Sequence, residues 1–206
     1  MAEATVGTSA TAGGYTFTDS ATIDGDGLVL RDPVIAAAKT GTLSTRSSDT
    51  AGTLTMQSGH SITDAAKIDI YWSTGQCTRA TVGTVATNSV PFTGAGGDVL
   101  PAQGTAITAM VQVVEDFDID AADLEFLALK AGTAACSATF LDGSNAVVGR
   151  VLVSAADGTA GTTQHHYVWH SENGVADPIS DDAVSVCLSH GSSGASQTVV
   201  CAAILS

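Results

Sequence analysis

Three aspartates alternate with apolar residues in Asp116-Phe117-Asp118-Ile119-Asp120, the spacing of the first three ligands of an EF-hand calcium loop. The pattern then departs from that loop. Its sixth position is Ala121, where glycine makes the sharp turn, and its twelfth is Leu127, where a bidentate glutamate is needed. What remains is a calcium candidate on a sheet edge: Asp116, Asp118 and Asp120, with Asp123 in reach. The competing expectation is a strand with Phe117 and Ile119 turned to a core and the aspartates turned to water. Salt and solvent relieve their repulsion there. Asp24-Gly25-Asp26-Gly27 is a second acidic stretch and reads as an ordinary turn.

His165-His166-Tyr167-Val168-Trp169-His170 is the one histidine cluster. On a strand His166 and His170 share a face about 13 Å apart, too far to chelate one metal without a bend. The expectation is a strand anchored by Tyr167 and Trp169, with the histidines at the surface or at a pH-sensitive subunit contact. The four cysteines, Cys77, Cys136, Cys187 and Cys201, form no CxxC pair, so zinc and redox signatures are absent. They read as buried free thiols, with Cys187–Cys201 the most plausible disulfide if one forms. His190-Gly191-Ser192-Ser193-Gly194 is not a G-x-S-x-G elbow, and neither a P-loop nor a dinucleotide fingerprint occurs. Two acids at glycosidase spacing could hide among the 21, but only Trp72 and Trp169 could serve as sugar platforms. No catalytic residue and no cofactor is expected.

The elements around these residues have a period of two. Thr53–Met56, Lys67–Trp72, Thr81–Val85 and Thr105–Val114 read as strands, as do Ala138–Leu141 and Val147–Val153, and Leu124–Leu129 reads as a strand or a single helical turn. Gln164–His170, Ala183–Ser189 and Thr198–Leu205 complete the series, and Asp142-Gly143 marks a hairpin. One short helix is expected over 32–41, with Asp32 as N-cap, Pro33 in the first turn and Gly41 as stop. The first twenty residues are Ala, Thr, Gly and Ser with little apolar patterning, and would be disordered alone. The expected fold is all-β, with two small β-sandwich or barrel-like domains and an extended N-terminal arm. The arm covers 1–20, a β domain 21–115 and a β-sandwich 116–206.

The chain has 206 residues and a net charge of −14. Five basic residues face ten acidic ones up to Glu115, and two face eleven beyond it. Such a surface repels phosphate and anionic lipid, so neither direct nucleic-acid binding nor membrane binding is expected. The first residues lack the basic and apolar regions of a secretory signal, and export by that route is not expected.

Two stretches carry a resemblance. The first runs from Thr53-Leu54-Thr55 and Gly59-His60-Ser61-Ile62-Thr63 through Ile68-Asp69-Ile70-Tyr71-Trp72 to Val82-Gly83-Thr84-Val85, Asn88-Ser89-Val90-Pro91 and Leu100-Pro101-Ala102. The second holds Tyr167-Val168-Trp169-His170-Ser171, Gly174-Val175-Ala176-Asp177-Pro178-Ile179 and Ser189-His190-Gly191. Together they resemble β-rich virion structural proteins of tailed bacteriophages and prophages. The resemblance implies a non-enzymatic, self-assembling subunit made in the host cytoplasm and built into the virion. It would be a homo-oligomer and touch major capsid or tail proteins. A capsid decoration (cement) protein is favoured over a tail-tube subunit, because two compact β domains suit a shell; the acidic balance suits a DNA-passing tube. The alternative is a carbohydrate-binding or adhesin-type sandwich, calcium-dependent through Asp116, Asp118 and Asp120.

Overall fold

The computed structural model describes residues 2–5, 10–12, 15–17, 22–25, 27–119, 124–132, 134–154, 165–171, 176–179 and 182–205. Among these the regular structure is strand throughout, as alternation and the β-branched, aliphatic composition require. Near the N-terminus, β1 (Ala2–Thr5) pairs with β4 (Thr22–Gly25), and β2 (Ala10–Ala12) pairs with β3 (Tyr15–Phe17). The stretch expected as an extended arm therefore carries local strand pairs.

A barrel follows. Its strands are β7 (Lys39–Arg46), β8 (Gly52–Met56), β9 (Lys67–Trp72), β10 (Gly75–Val82), β11 (Ser89–Thr93) and β13 (Ala106–Val111). β11 pairs with both β8 and β10, which closes the sheet in the order β11-β8-β7-β13-β9-β10. Closure removes free edges, and only the two-residue β12 (Gly96–Gly97) hangs on β10. Leu54, Ile68, Ile70, Val90 and Phe92 fill the interior, so the expected sharing of one face by Ile68 and Ile70 holds.

The second unit is a sandwich. One sheet runs β14 (Val113–Asp116), β19 (Ser185–His190), β16 (Cys136–Leu141), β17 (Val147–Val153). The other runs β18 (His165–His170), β15 (Leu124–Ala131), β20 (Gln197–Leu205), β5 (Gly27–Arg31), and β6 (Val34–Ile35) also pairs with β20. Leu127, Leu129 and Cys201 of one sheet meet Ala138, Phe140 and Leu188 of the other. The Phe117 and Phe140 rings lie 5.6 Å apart in this core. Trp169 is buried there and Tyr167 packs against it, as expected. β5 and β6 precede the barrel in sequence yet complete the sandwich, and the boundary near Glu115 falls within β14.

The helix expected over 32–41 does not form. Val34-Ile35 pairs with Gln197 and Thr198, and Lys39 already begins β7. β-branched Val34 and Ile35 favour the sheet, and Ile35 is buried in the sandwich core. Gly41 is not a helix stop. A Cβ there would sit 2.6 Å from Met56 Sδ and 2.8 Å from the Thr55 carbonyl oxygen, so glycine lets β8 lie close. The pairing of Cys187 with Cys201 does not occur either: all four cysteines are free and buried. Cys187 lies on β19 and Cys201 on β20, in opposite sheets. Cys201 faces the sandwich core, while Cys187 meets Arg79 from the barrel.

Candidate functional site

Strand alternation decides what β9 presents outside the barrel. With Ile68 and Ile70 turned inward, Asp69 and Tyr71 must project outward. The same parity acts on the sandwich. Cys136 and Ala138 of β16 and Val186 and Leu188 of β19 face its core, which turns Ser137 and Ser189 to the opposite face. That face lies on the barrel, and the four side chains meet in a sealed polar seam. Asp69, Ser137 and Ser189 are fully buried, and Tyr71 nearly so.

Asp69 is the hub. Its Oδ1 accepts from the Arg79 backbone N–H at 2.7 Å and from Gln112 Nε2 at 2.8 Å. Its Oδ2 accepts from Ser137 Oγ at 2.9 Å and from Ser189 Oγ. The Tyr71 hydroxyl lies 2.6 Å from both serine oxygens. A β-bulge places the Arg79 amide. Cys77 pairs with Ile70 and Ala80 with Ile68, so two residues of β10 oppose Asp69, and Arg79 sits at a left-handed φ of 56°. The Arg79 guanidinium crosses the seam to Cys187 Sγ at 3.3 Å and the Asn145 carbonyl at 3.4 Å. Gln76 Nε2 donates to the Cys136 carbonyl, and Thr108 Oγ1 to that of Gly191.

Burial pushes the Asp69 carboxyl above its ordinary value, against the opposing pull of hydrogen bonds from Ser189, the Arg79 backbone, Gln112 and Ser137. Burial, and then the nearby Asp69 charge, push the Tyr71 phenol far up. A serine against a carboxylate invites a nucleophilic reading, but among the described residues no imidazole joins the pair. His190, next to Ser189, turns away: its Nδ1 accepts from the Ser192 N–H and its Nε2 donates to the Ile35 carbonyl. A shallow cleft of about 230 Å³ beside Tyr71 and Trp72 is not lined by Asp69. The chemistry this geometry supports is joining barrel to sandwich.

The residues singled out from sequence lie elsewhere. Phe117 and Ile119 are buried while Asp116 and Asp118 are exposed, as alternation requires. Asp120 and Asp123 lie outside the described residues. Asp116, Asp118 and Asp142 line a groove of about 760 Å³ with Arg31, Asn145 and Val184. Asp142 Oδ1 already accepts from Ser144 and the Ala146 amide, which holds that carboxyl below its usual value. Among the described residues no three His, Cys, Asp or Glu side chains gather as metal ligands. Exposed acids beside edge strand β14 discourage pairing with other chains. Asp24 lies on β4, and Asp26 is outside the described residues, as are the side chains of His165, His166 and His170.

Alternation in Ile68-Asp69-Ile70-Tyr71 signalled that Asp69 and Tyr71 leave the barrel core. Nothing local signalled that β16 and β19 would cover them. No family model, curated protein or solved structure matches the chain. Among the described residues no helix is long and apolar enough to cross a membrane.

His190 gives the seam's periphery a pH dependence. Burial lowers its affinity for a proton, against the pull of the Ile35 and Ala36 backbone. A histidine depressed in the fold contributes stability that is complete above its unfolded value, near 6.5, and lost as pH falls below it. Thermal unfolding should therefore fall more steeply below about pH 6 in the wild type than in His190→Gln. Parallel curves would show that His190 charges freely in place.

Proposed function

We propose that this chain is a non-enzymatic structural subunit of a tailed-phage-like virion, most simply a capsid decoration protein. It assembles with copies of itself and with capsid or tail proteins. One observation carries the assembly reading: the five-stranded sheet is apolar on both faces. Leu127, Leu129 and Cys201 face the sandwich core, while Phe126, Ala128, Val200, Ala202 and Ile204 form a second buried cluster on the outer face. A sheet apolar on both sides needs a cover on each. β4 lies against β15 and β20 of this sheet.

The N-terminal strands are short, and their pairs are local, so they bring little core of their own. A segment of this kind can cover its own sheet or an identical sheet on a neighbour, the route by which identical chains exchange elements. Apolar burial favours either arrangement at about 25 cal/mol per Å². A rigid joint between barrel and sandwich suits a subunit that must present fixed surfaces. The calcium-dependent binding module has less support, since Asp142 in that groove is engaged by its own turn.

Deletion of residues 2–18 tests the reading. Incorporation into particles should fall by roughly tenfold, equivalent to about 1.4 kcal/mol of association free energy. Circular dichroism should stay that of a folded β protein. Undiminished incorporation of the folded truncation would remove the N-terminal segment from assembly.

A further inference from the structure

The seam poses a question of proton inventory. Asp69 Oδ2, the two serine oxygens and the Tyr71 hydroxyl make five close oxygen pairs. Each hydrogen bond among them needs one proton, and each hydroxyl brings one. With the carboxyl ionised, three hydroxyls supply three protons, and two pairs become bare oxygen–oxygen contacts. One more proton, on Oδ2, closes a ring. The Asp69–Ser189 bond then runs opposite to its direction with an ionised carboxylate: Asp69 donates to Ser189, Ser189 to Tyr71, Tyr71 to Ser137, and Ser137 back to Asp69. Only the two serine oxygens, 2.9 Å apart, then lack a proton between them. Oδ1 keeps its bonds from the Arg79 amide and Gln112, as the carbonyl oxygen of a neutral acid would.

The surroundings agree. Among the described residues, the titratable or charged groups that interact with Asp69 are Tyr71 on its own strand, Cys77 and Arg79 of β10, and Cys187 of β19. Arg79 alone carries a positive charge, and its guanidinium is bonded to Gln112 Oε1, Cys187 Sγ and the Asn145 carbonyl instead of the carboxylate. A buried carboxylate without a cation partner is costly, and taking up a proton relieves that cost.

We propose that Asp69 is held as a neutral carboxylic acid at pH values where surface carboxylates are ionised, and that this proton latches the barrel to the sandwich until rising pH removes it. The direction follows from linkage. Burial raises the folded-state value above the unfolded 3.8, so the stabilisation is complete below 3.8 and is lost as pH rises through the folded value. Loss of the proton returns the unmatched oxygen contacts to the seam and puts a negative charge beside Tyr71.

Infrared difference spectra between the wild type and Asp69→Asn at about pH 6 test the proton directly. The carbonyl stretch of a protonated carboxylic acid should appear in the wild type and be lost in D69N. The asparagine amide still accepts at Oδ1 and offers an N–H to each serine without a titratable proton, so the fall in wild-type Tm with rising pH attributable to this group should also vanish in D69N. Absence of the band overturns the proposal, as does a D69N whose Tm lies below wild type by the same margin at every pH. Should D69N fail to fold, carboxyl carbon NMR of the wild type decides. One aspartate titrating above all others, with the Tyr71, Ser137 and Ser189 amides shifting in step, supports the latch. An Asp69 carboxyl titrating at or below its ordinary value overturns it.

Discussion

Replacing Asp69 by alanine should destabilise the protein by about 3–5 kcal/mol, more than any surface substitution, because it strands several buried donors at once. The Arg79 amide, Gln112 Nε2 and the Ser137 and Ser189 hydroxyls all converge on this side chain. Each buried donor left unmade costs about 1–3 kcal/mol, and the serines recover part of this by bonding to Tyr71. At about 2–4 °C per kcal/mol for a chain of this size, Tm should fall by about 6–20 °C. Hydrogen exchange should show the loss at the amides of β9, β16 and β19 before the interiors of either unit, because the seam opens first. A loss below about 1 kcal/mol would mean that water fills the seam in solution and that the two units are joined elsewhere.

Phe126→Ala is the second large effect. Phe126 is fully buried, yet on β15 it points away from the sandwich core. If the outer face were open to water, truncating its ring would cost little. If the face is covered, the cost should be that of a buried phenylalanine, about 3–5 kcal/mol, read from the urea midpoint at constant m-value. The same substitution in a chain lacking residues 2–25 identifies the cover. Where the N-terminal strands provide it, the cost should drop to about 1 kcal/mol or less, and the two changes should be strongly non-additive. An unchanged cost in the truncated chain would place the cover on another part of the molecule.

Both effects rest on strands whose period was legible while their surroundings were not. The pattern of β9 says that Ile68 and Ile70 share one face and that Asp69 and Tyr71 share the other. An outward Asp on a barrel strand reads as solvated, which makes acid-rich Asp116–Asp120 more conspicuous than Asp69. The continuous apolar run Val199–Ile204 was a better signal: a strand with both faces apolar must be covered twice. The helix expected over 32–41 shows the opposite failure. Cap and stop residues were in place, but Val34 and Ile35 gain more from β20 and the sandwich core than two isolated turns could supply. Gly41 matched a helix stop by residue type, whereas its role is a close approach to Met56 that no local pattern encodes.

The sequence by itself determined the all-β class, the shared facing of Ile68 with Ile70, of Tyr167 with Trp169 and of Val186 with Leu188, and the Asp142-Gly143 hairpin, because side-chain direction and turn chemistry are local properties. It also determined the acidic balance and, through the scarcity of aromatics, a core of aliphatic and small residues. Tertiary structure alone decided which strands are neighbours. It closed β11 onto β10, carried β5 and β6 across to β20, separated Cys187 from Cys201 and laid Ser137 and Ser189 over Asp69. Those pairings join residues up to 178 positions apart, as Gly27 and Leu205 are, and periodicity holds no information at that range. The buried carboxyl at the seam is the clearest case: its residue type and direction were local facts, and its burial was not.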